Sequence, residues 1–333
     1  MKKLLSLFLS ALMILPICGC TKKSTTNVTT PVSDEKPIIR LGGLKGPTSM
    51  GMVKMLDDCE QGKTEIQYEF TMAASADELT PKILQGDLDI LAVPANLGSV
   101  LYNKSNGKVQ MLAVNMLGAI YITEKGGNTI HSIEDLKGQT IYATGKGSTP
   151  EYVLAYLLSQ YGLDIENDVK VEWKSEPTET VSAMVAEEHA IAMIPQPFVA
   201  VAQGQIEDLE VVLDLNQEWD NLGGDSKCIT AAIIVNTEFA KNNPDVVKTF
   251  LKEYDNSTSY VKSNVEEASV LIEKYDIVKA PIAKKALPQC NIVCITGEEM
   301  KNSVTGYFQV LYDQNPASVG GSMPNDDFFL IYE

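Results

Sequence analysis

Arginine is almost absent from this chain, because Arg40 is the only arginine among its 27 basic residues. Sites for carboxylates, sulfonates and phosphates often use arginine, whose planar guanidinium matches two oxygens at once. Arg40 falls within the first predicted strand, ahead of the loop in which a bound molecule would sit. The composition therefore favours a neutral or cationic solute. An anionic solute remains the alternative, because Lys45, Lys146 and free helix amides could bind it.

Residues that serve metal and nucleophilic chemistry are also scarce. His131 and His189 are the only histidines, and no Cys-x-x-Cys motif occurs. The sequence therefore offers few suitable ligands for a zinc site. Ser148 has no Gly-x-Ser-x-Gly setting, and no nucleophile is fixed near either histidine in the sequence. We predict no catalytic residue, no metal and no cofactor.

The charge balance excludes a further class of partner. Acidic residues number 44, and the formal net charge is −17. A surface of this charge repels phosphate backbones, which argues against nucleic-acid binding. After residue 20 no apolar stretch is both long enough and free enough of charge to cross a membrane.

Four cysteines follow residue 20, namely Cys59, Cys228, Cys290 and Cys294. An exported protein could pair them. Cys290 and Cys294 are close in sequence, and a bridge between them and two buried thiols are both open.

The first twenty residues predict export. Lys2 and Lys3 precede an apolar run over residues 4–17 that is too short to span a bilayer comfortably. The sequence ICGC over residues 17–20 is typical of a bacterial lipobox, which predicts a signal peptide over residues 1–19 and lipidation of Cys20. The polar, Thr/Ser-rich residues up to 36 predict a flexible tether over residues 20–36. A buried N-terminal helix is the alternative, but it explains neither the paired lysines nor the abrupt change after Cys20.

From residue 37 onward, short β-branched runs alternate with amphipathic helical patterns, which predicts α/β lobes with largely parallel sheets. Predicted strands include residues 38–41, 65–70, 90–93, 111–114, 139–143, 169–173, 191–194, 209–213 and 229–235. Residues 83–96 align without gaps with residues 184–197, each as a helix end, a turn, an apolar strand and a proline. This internal echo predicts two similar lobes, with coincidence as the alternative.

Several motifs in order resemble one known family. They are LQGDLDILAVP at 84–94, IEDLKGQTIYATGKGSTPEYVLAYLLSQYGLD at 133–164, AIAMIPQPFVAVAQGQ at 190–205, NTEFAKNNPDVVKTFLKEY at 236–254 and MPNDDFF at 323–329. The set resembles the solute-binding lipoproteins of ABC importers, in the nitrate/sulfonate/taurine and NMT1/THI5-like (thiamine-precursor) branch. The sequence departs from the family pattern at residues 187–190, where EEHA replaces the expected Gly-Asp-x-Asp.

The resemblance implies a two-lobed periplasmic-binding-protein-like fold of type II, with mixed sheets, flanking helices and a hinge of two crossings. Lobe 1 would comprise residues 37–120 and 236–333, and lobe 2 residues 121–235. The crossings would lie near residues 118–123 and 233–236.

Four loops follow predicted strands, and in open α/β sheets ligands bind at such positions. They lie at residues 46–50, 94–96, 145–149 and 195–198. Each combines backbone amides with hydroxyl or amide side chains, and ordinary caps and turns are the alternative interpretation. The predicted ligand-binding residues are Thr48, Ser49, Asn96, Gly147, Ser148, Thr149, Gln196, Phe198 and Trp219.

Aromatic residues near these loops are candidates for stacking on a ligand. Trp219 lies in a polar, glycine-containing segment, which predicts an exposed lid or cleft wall. Phe198, Tyr121 and Trp173 are further candidates, although aromatic residues are more often part of a core.

The resemblance implies a monomeric lipoprotein at the outer face of the bacterial cell membrane. It would capture a small polar or heteroaromatic molecule between its lobes and deliver it to an ABC permease. An extracytoplasmic ligand sensor is the alternative. An enzyme on the same fold is a further one, although the cysteine-rich motif of the thiamine-pyrimidine synthases is absent.

Overall fold

The computed structural model describes residues 36–224 and 226–332. The predicted signal peptide, the lipidation of Cys20 and all but the last residue of the predicted tether lie outside the described residues. Strands and helices alternate through the described chain, as the sequence predicts. None of the helices within these ranges is long and apolar enough to cross a membrane.

Nine of the eleven described strands match predicted strands with boundaries shifted by a few residues, whereas the strands at residues 120–125 and 292–295 were not predicted. The strands are β1 (Ile38–Leu44), β2 (Gln67–Ala73), β3 (Ile90–Pro94), β4 (Val109–Leu117), β5 (Ile120–Lys125), β6 (Thr140–Thr144), β7 (Lys170–Lys174), β8 (Ala190–Pro195), β9 (Leu209–Asp214), β10 (Ile229–Asn236) and β11 (Ile292–Ile295). The helices are α1 (Pro47–Met50), α2 (Val53–Glu60), α3 (Ala76–Gln85), α4 (Ala95–Ser105), α5 (Thr149–Gln160), α6 (Pro177–Ala186), α7 (Phe198–Gln203), α8 (Leu215–Asn221), α9 (Thr237–Asn242), α10 (Pro244–Ser263), α11 (Val265–Lys274), α12 (Ala280–Ala286) and α13 (Gly297–Gln314). Short 3-10 turns occupy Glu134–Leu136, Leu287–Gln289, Pro316–Val319 and Asp326–Phe328.

The first sheet has the strand order β11-β4-β10-β3-β1-β2. Strands β1, β2 and β3 pair in parallel, whereas β10 is antiparallel to both of its neighbours. The predicted lobe boundary at residue 235 assigns nearly all of β10 to lobe 2, and this assignment is wrong. β10 pairs with β3 and β4 along its length, because its apolar residues complete the centre of the first sheet.

The second sheet has the order β7-β6-β8-β5-β9. Strands β6, β7 and β8 are parallel, and β5 is antiparallel to β8 and β9. β8 therefore has the position in this sheet that β3 has in the first, between a parallel and an antiparallel neighbour. The sheets thus reproduce the internal echo between residues 83–96 and 184–197.

The chain passes from the first sheet to the second through a tight backbone turn. Gly118 and Ala119 have φ values of 51° and 63°, both in the left-handed region. The N–H of Gly118 donates to the carbonyl of Cys228, just before β10, at 2.8 Å. The outward and return segments are therefore hydrogen-bonded to each other where they pass.

Apolar packing is continuous between the two sheets. One buried cluster includes Val93 and Leu101 of the first sheet and its helices, and Ile141 and Met193 of the second sheet. Tyr307 of α13 belongs to the same cluster. The edges where β1, β3, β6 and β8 end therefore lie next to a shared core.

Candidate ligand-binding site

The four predicted loops all follow the carboxyl ends of parallel strands. β1 leads to α1 and β3 to α4 in the first sheet, whereas β6 leads to α5 and β8 to α7 in the second. Parallel strands bring such loops to one edge of their sheet, which is where open α/β sheets bind ligands.

The loop after β1 holds its hydroxyl groups against its own backbone. Ser49 and Thr48 both donate to the carbonyl of Leu44, with O–O distances of 2.7 and 3.4 Å. Ser49 is fully buried. A Cβ on Gly43 would lie 2.3 Å from Ser49 Oγ, so the strand passes this hydroxyl closely only because residue 43 is glycine.

Asn96 and Thr149 join the starts of two helices on different sheets. The Thr149 hydroxyl, at the first position of α5, donates to Asn96 Oδ1 in the first turn of α4 at 3.2 Å. Asn96 Nδ2 donates to the carbonyl of Ser318 at 3.1 Å. The Tyr307 hydroxyl donates to Thr149 Oγ1 at 3.4 Å. All three side chains are buried, so these bonds fix the Asn96 amide in one orientation.

The loop before α5 satisfies its polar groups internally. The Ser148 hydroxyl donates to the carbonyl of Gly145 at 2.8 Å. Gly147, which is exposed, donates its backbone N–H to the Glu151 carboxylate at 2.5 Å. A carboxylate in the first turn of α5 also interacts favourably with the helix dipole.

Gln196, which directly follows β8, makes a contact between the two halves like that of Thr149 with Asn96. Its side-chain Nε2 donates to Gln289 Oε1 at 2.5 Å, and its Oε1 accepts from the N–H of Ala200 at 3.4 Å. The Tyr121 hydroxyl donates to the carbonyl of Gln289 at 2.9 Å. Gln289 lies just before β11 of the first sheet, so this is a second contact between the two halves. Phe198 is half-buried against the apolar cluster around β8.

Trp219 is not exposed, and the prediction of an exposed lid is wrong on this point. The indole is 2 % exposed and lies between Tyr156 of α5 and Tyr307 of α13, with ring centroids at 4.4 and 5.7 Å. Its Nε1 donates to Ser226 Oγ at 3.2 Å. The polar segment around Trp219 gave no sign of the two aromatic partners, which lie far away in sequence.

Two of the three basic groups near the predicted loops are paired with carboxylates. The Arg40 guanidinium donates two hydrogen bonds to Asp89, and these raise its pKa. The Arg40 backbone N–H donates a third bond to the same carboxylate. The ammonium of Lys45 contacts the carboxylate of Asp276 at 2.9 Å. Lys146 lies within the loop before α5 and is exposed.

Asn115 is a polar residue at the site that the sequence interpretation missed. It lies on β4, is 2 % exposed, and donates from Nδ2 to the carbonyl of Thr48 at 3.0 Å. Its Oδ1 has no hydrogen-bond partner among the described residues. The signal in the sequence was a single amide within the otherwise apolar run MLAVNML at residues 111–117.

The four described cysteines are free thiols, so the alternative of a Cys290–Cys294 bridge is not adopted. Burial raises the pKa of Cys290 to about 12, which keeps it protonated and unreactive at neutral pH. Within residues 36–224 and 226–332, no group of three or more His, Cys, Asp and Glu side chains could hold a metal ion.

The family profile described as NMT1/THI5 like matches residues 109–268. No curated protein sequence matches the chain.

Solved structures resemble the chain over most of its length. The crystal structure of an ABC transporter protein from Parabacteroides distasonis has a TM-score of 0.75 at 21 % identity, covering 90 % of this chain and 100 % of that one. The periplasmic aliphatic sulphonate binding protein SsuA of Escherichia coli has a TM-score of 0.70 at 17 % identity, covering 86 % and 96 %. The zinc-bound ligand-binding component of an ABC-type import system from Staphylococcus aureus has a TM-score of 0.69 at 14 % identity, covering 89 % and 97 %.

These matches confirm the resemblance and the mixed α/β fold that the motifs predict. At this level of identity the structural matches establish the fold alone. The chain therefore has the fold of the periplasmic binding proteins and carries NMT1/THI5-like sequence over residues 109–268.

Proposed function

We propose that the chain is an extracytoplasmic solute-binding lipoprotein that captures a small polar or heteroaromatic molecule between its two sheets and delivers it to an ABC permease. The observation that carries this proposal is the contact between Asn96 and Thr149. It brings together the starts of two helices, α4 and α5, that lie on different sheets. A small molecule at this point would be held from both sides.

Two further observations support the proposal. Each of the four loops carries at least one buried polar side chain, and none of these is a catalytic group. The neighbours in fold include a periplasmic sulphonate-binding protein and a ligand-binding component of an ABC-type import system. The two lobes that we propose keep the predicted division, except that β10 belongs with the first.

Capture is tested by native mass spectrometry of the purified chain, followed by thermal-shift screening of small polar and heteroaromatic solutes. A bound solute at about 100 times its Kd should add about 2.7 kcal/mol to the free energy of unfolding. Saturable stabilisation without chemical change of the solute is the expected result. Turnover of any solute would favour the enzyme alternative, and the absence of any stabilising solute would count against capture.

The proposed lipid anchor depends on Cys20. Replacement Cys20→Ser removes the thiol that would carry the lipid, so the protein should leave the membrane fraction for the soluble fraction. Cys59→Ser is the control, because Cys59 is a buried thiol of the folded part. If the Cys20→Ser protein stays in the membrane fraction as fully as the unmodified chain, the lipobox interpretation fails.

A further inference from the structure

A hollow lies between the two halves of the molecule, beside the turn that leads from β4 to β5. Its volume is about 450 Å³, which is within the range of small-molecule sites in proteins. The ends of β4 and β11, the junction of α10 with α11 and the 3-10 turn before β11 form one side. α8 forms the other side. None of the lining residues belongs to the four loops of the candidate ligand-binding site.

Apolar side chains make up much of the wall of this hollow. Leu287 and Ile292 are buried, whereas Leu117, Val265 and Val293 are half-buried. Apolar surface that stays in contact with water favours a ligand that can cover it. A short hydrocarbon group would therefore bind favourably here.

Three polar side chains line the same hollow, namely Asn216 of α8, Lys262 of α10 and Asn291 just before β11. Within the part of the chain that the structure describes, none of the three side chains has a hydrogen-bond or ion-pair partner. The amides of Asn96 and Gln196 at the candidate site, by contrast, both bond to other residues. An ammonium and two amide groups offer the donors that a carboxylate accepts.

The charge of the hollow is opposite to that of the whole molecule. The formal net charge of the chain is −17, yet Lys262 is the one ionisable residue among the described residues that line the hollow. Other hollows on the surface are lined by carboxylates. Two acidic residues near the lining residues in sequence are engaged. Asp214 accepts from the N–H of Asn216, and Glu266 pairs with Lys284 at 2.6 Å.

We propose that this hollow is a second binding site, separate from the candidate ligand-binding site, and that it takes a small carboxylate with a short hydrocarbon part. The carboxylate accepts from the Lys262 ammonium and from the amides of Asn216 and Asn291. The hydrocarbon part covers Leu287 and Val293. Because Asn216 comes from the second half and Lys262 from the first, the ligand contacts both halves. The inference does not depend on the proposed capture function.

The ligand class is tested by nuclear magnetic resonance titration of the purified, isotope-labelled chain with hexanoate, hexanamide and inorganic phosphate. Hexanoate should shift the amide resonances of residues 291–293 saturably and bind about fivefold more tightly than uncharged hexanamide. Phosphate, which has no hydrocarbon part, should bind more weakly than hexanoate. Equal binding of hexanamide or of phosphate would overturn the proposed class. Absence of hexanoate binding would overturn the second site and leave capture standing, because capture is assigned to other residues.

The role of the ammonium is tested by Lys262→Met, which removes the charge and keeps an unbranched side chain. Hexanoate should bind about fivefold more weakly to this variant, whereas hexanamide should bind as before. Lys252→Met is the matched control, since Lys252 lies on the same helix and is exposed but lines a different hollow. Equal losses in both variants would show a general effect of net charge and remove Lys262 from the site.

The position of the ligand is tested by crystallography of the chain with 6-bromohexanoate, whose bromine is located by anomalous scattering. The bromine should lie beside Leu287 and Val293, with the carboxylate at Lys262. Bromine beside Asn96 and Thr149 would assign the carboxylate to the candidate ligand-binding site and overturn the second site.

Discussion

At the residue scale, Glu124 places a carboxylate in the interior of the second sheet without leaving it unpaired. Its side chain is inaccessible to solvent. It accepts from Thr129 N and Oγ1 and from Ile130 N, and its Oε1 lies 3.0 Å from His189 Nε2. Burial alone would raise its pKa, but the hydrogen bonds from Thr129, His189 and Ile130 outweigh burial and hold the pKa at about 2.

This pKa predicts how stability depends on pH. Because the folded pKa lies below the ordinary value, Glu124 contributes stability above that value and loses it as pH falls from about 5 towards 2. The contribution is about 3 kcal/mol when the pKa falls from 4.5 to about 2. Glu124→Gln should lower the free energy of unfolding at pH 7, and its deficit relative to the unmodified chain should shrink as the pH falls. Urea unfolding from pH 7 to pH 3 measures this.

The exposed Glu207→Gln variant is the control for that experiment. It removes one negative charge without touching a buried hydrogen bond. A deficit in Glu124→Gln that stays constant across the pH range would contradict the assignment.

Glu124 and its neighbours also show which contacts could not be predicted from the sequence. Glu124 and Asn115 each interrupt an apolar strand, so the pattern indicates burial but not the partner that makes burial tolerable. His189 was weighed only as a metal-binding or catalytic residue and as part of the departure at residues 187–190. Its contact with Glu124 depends on the pairing of β5 with β8. Trp219 was misjudged because its aromatic neighbours come from α5 and α13, which no local pattern can reveal.

At the element scale, strand and helix identities could be predicted because periodicity and β-branching are local signals. The internal echo likewise predicted the equivalent positions of β3 and β8. The place of β10 could not be predicted, since an apolar strand at a crossing fits the centre of either sheet. Its antiparallel pairing with β3 is determined by long-range packing of the whole core.

The connection between β4 and β5 gives a prediction of its own. A Cβ on Gly118 would lie 2.2 Å from Asn216 Cβ, and the residue has a φ of +51°. Gly118→Ala should therefore suffer both backbone strain and overpacking, at a cost of about 2–5 kcal/mol. Gly138→Ala is the matched control, because its φ is +76° with no atom within 4 Å. It should cost only about 1–2 kcal/mol from the backbone.

Urea unfolding of both glycine variants measures this difference. Equal losses would mean that the backbone conformation alone matters and that the close approach of Asn216 does not. A larger loss in Gly118→Ala would establish that the crossing packs against α8 in solution.

At the scale of the whole molecule, the two halves are held together on two flanks. On one flank Thr149 bonds to Asn96 and Trp219 packs on Tyr307. On the other flank the Gln289 side chain and backbone bond to lobe 2. Each such hydrogen bond contributes about 1 kcal/mol, which is small beside the whole free energy of folding. It is comparable to the free-energy difference between two arrangements of the two lobes that we propose.

These contacts predict that the two halves separate further as more of the bonds between them are removed. Thr149→Val removes two side-chain bonds between the halves and Gln289→Ala removes one. Each variant should therefore raise the radius of gyration from small-angle scattering slightly, and the double variant should raise it most. Thr149→Ser keeps the hydroxyl and should match the unmodified chain. Trp219 emission should shift to longer wavelength in the same order, because separation from Tyr307 admits water to the indole. An unchanged radius in the double variant, with normal unfolding, would mean that apolar packing alone holds the halves together.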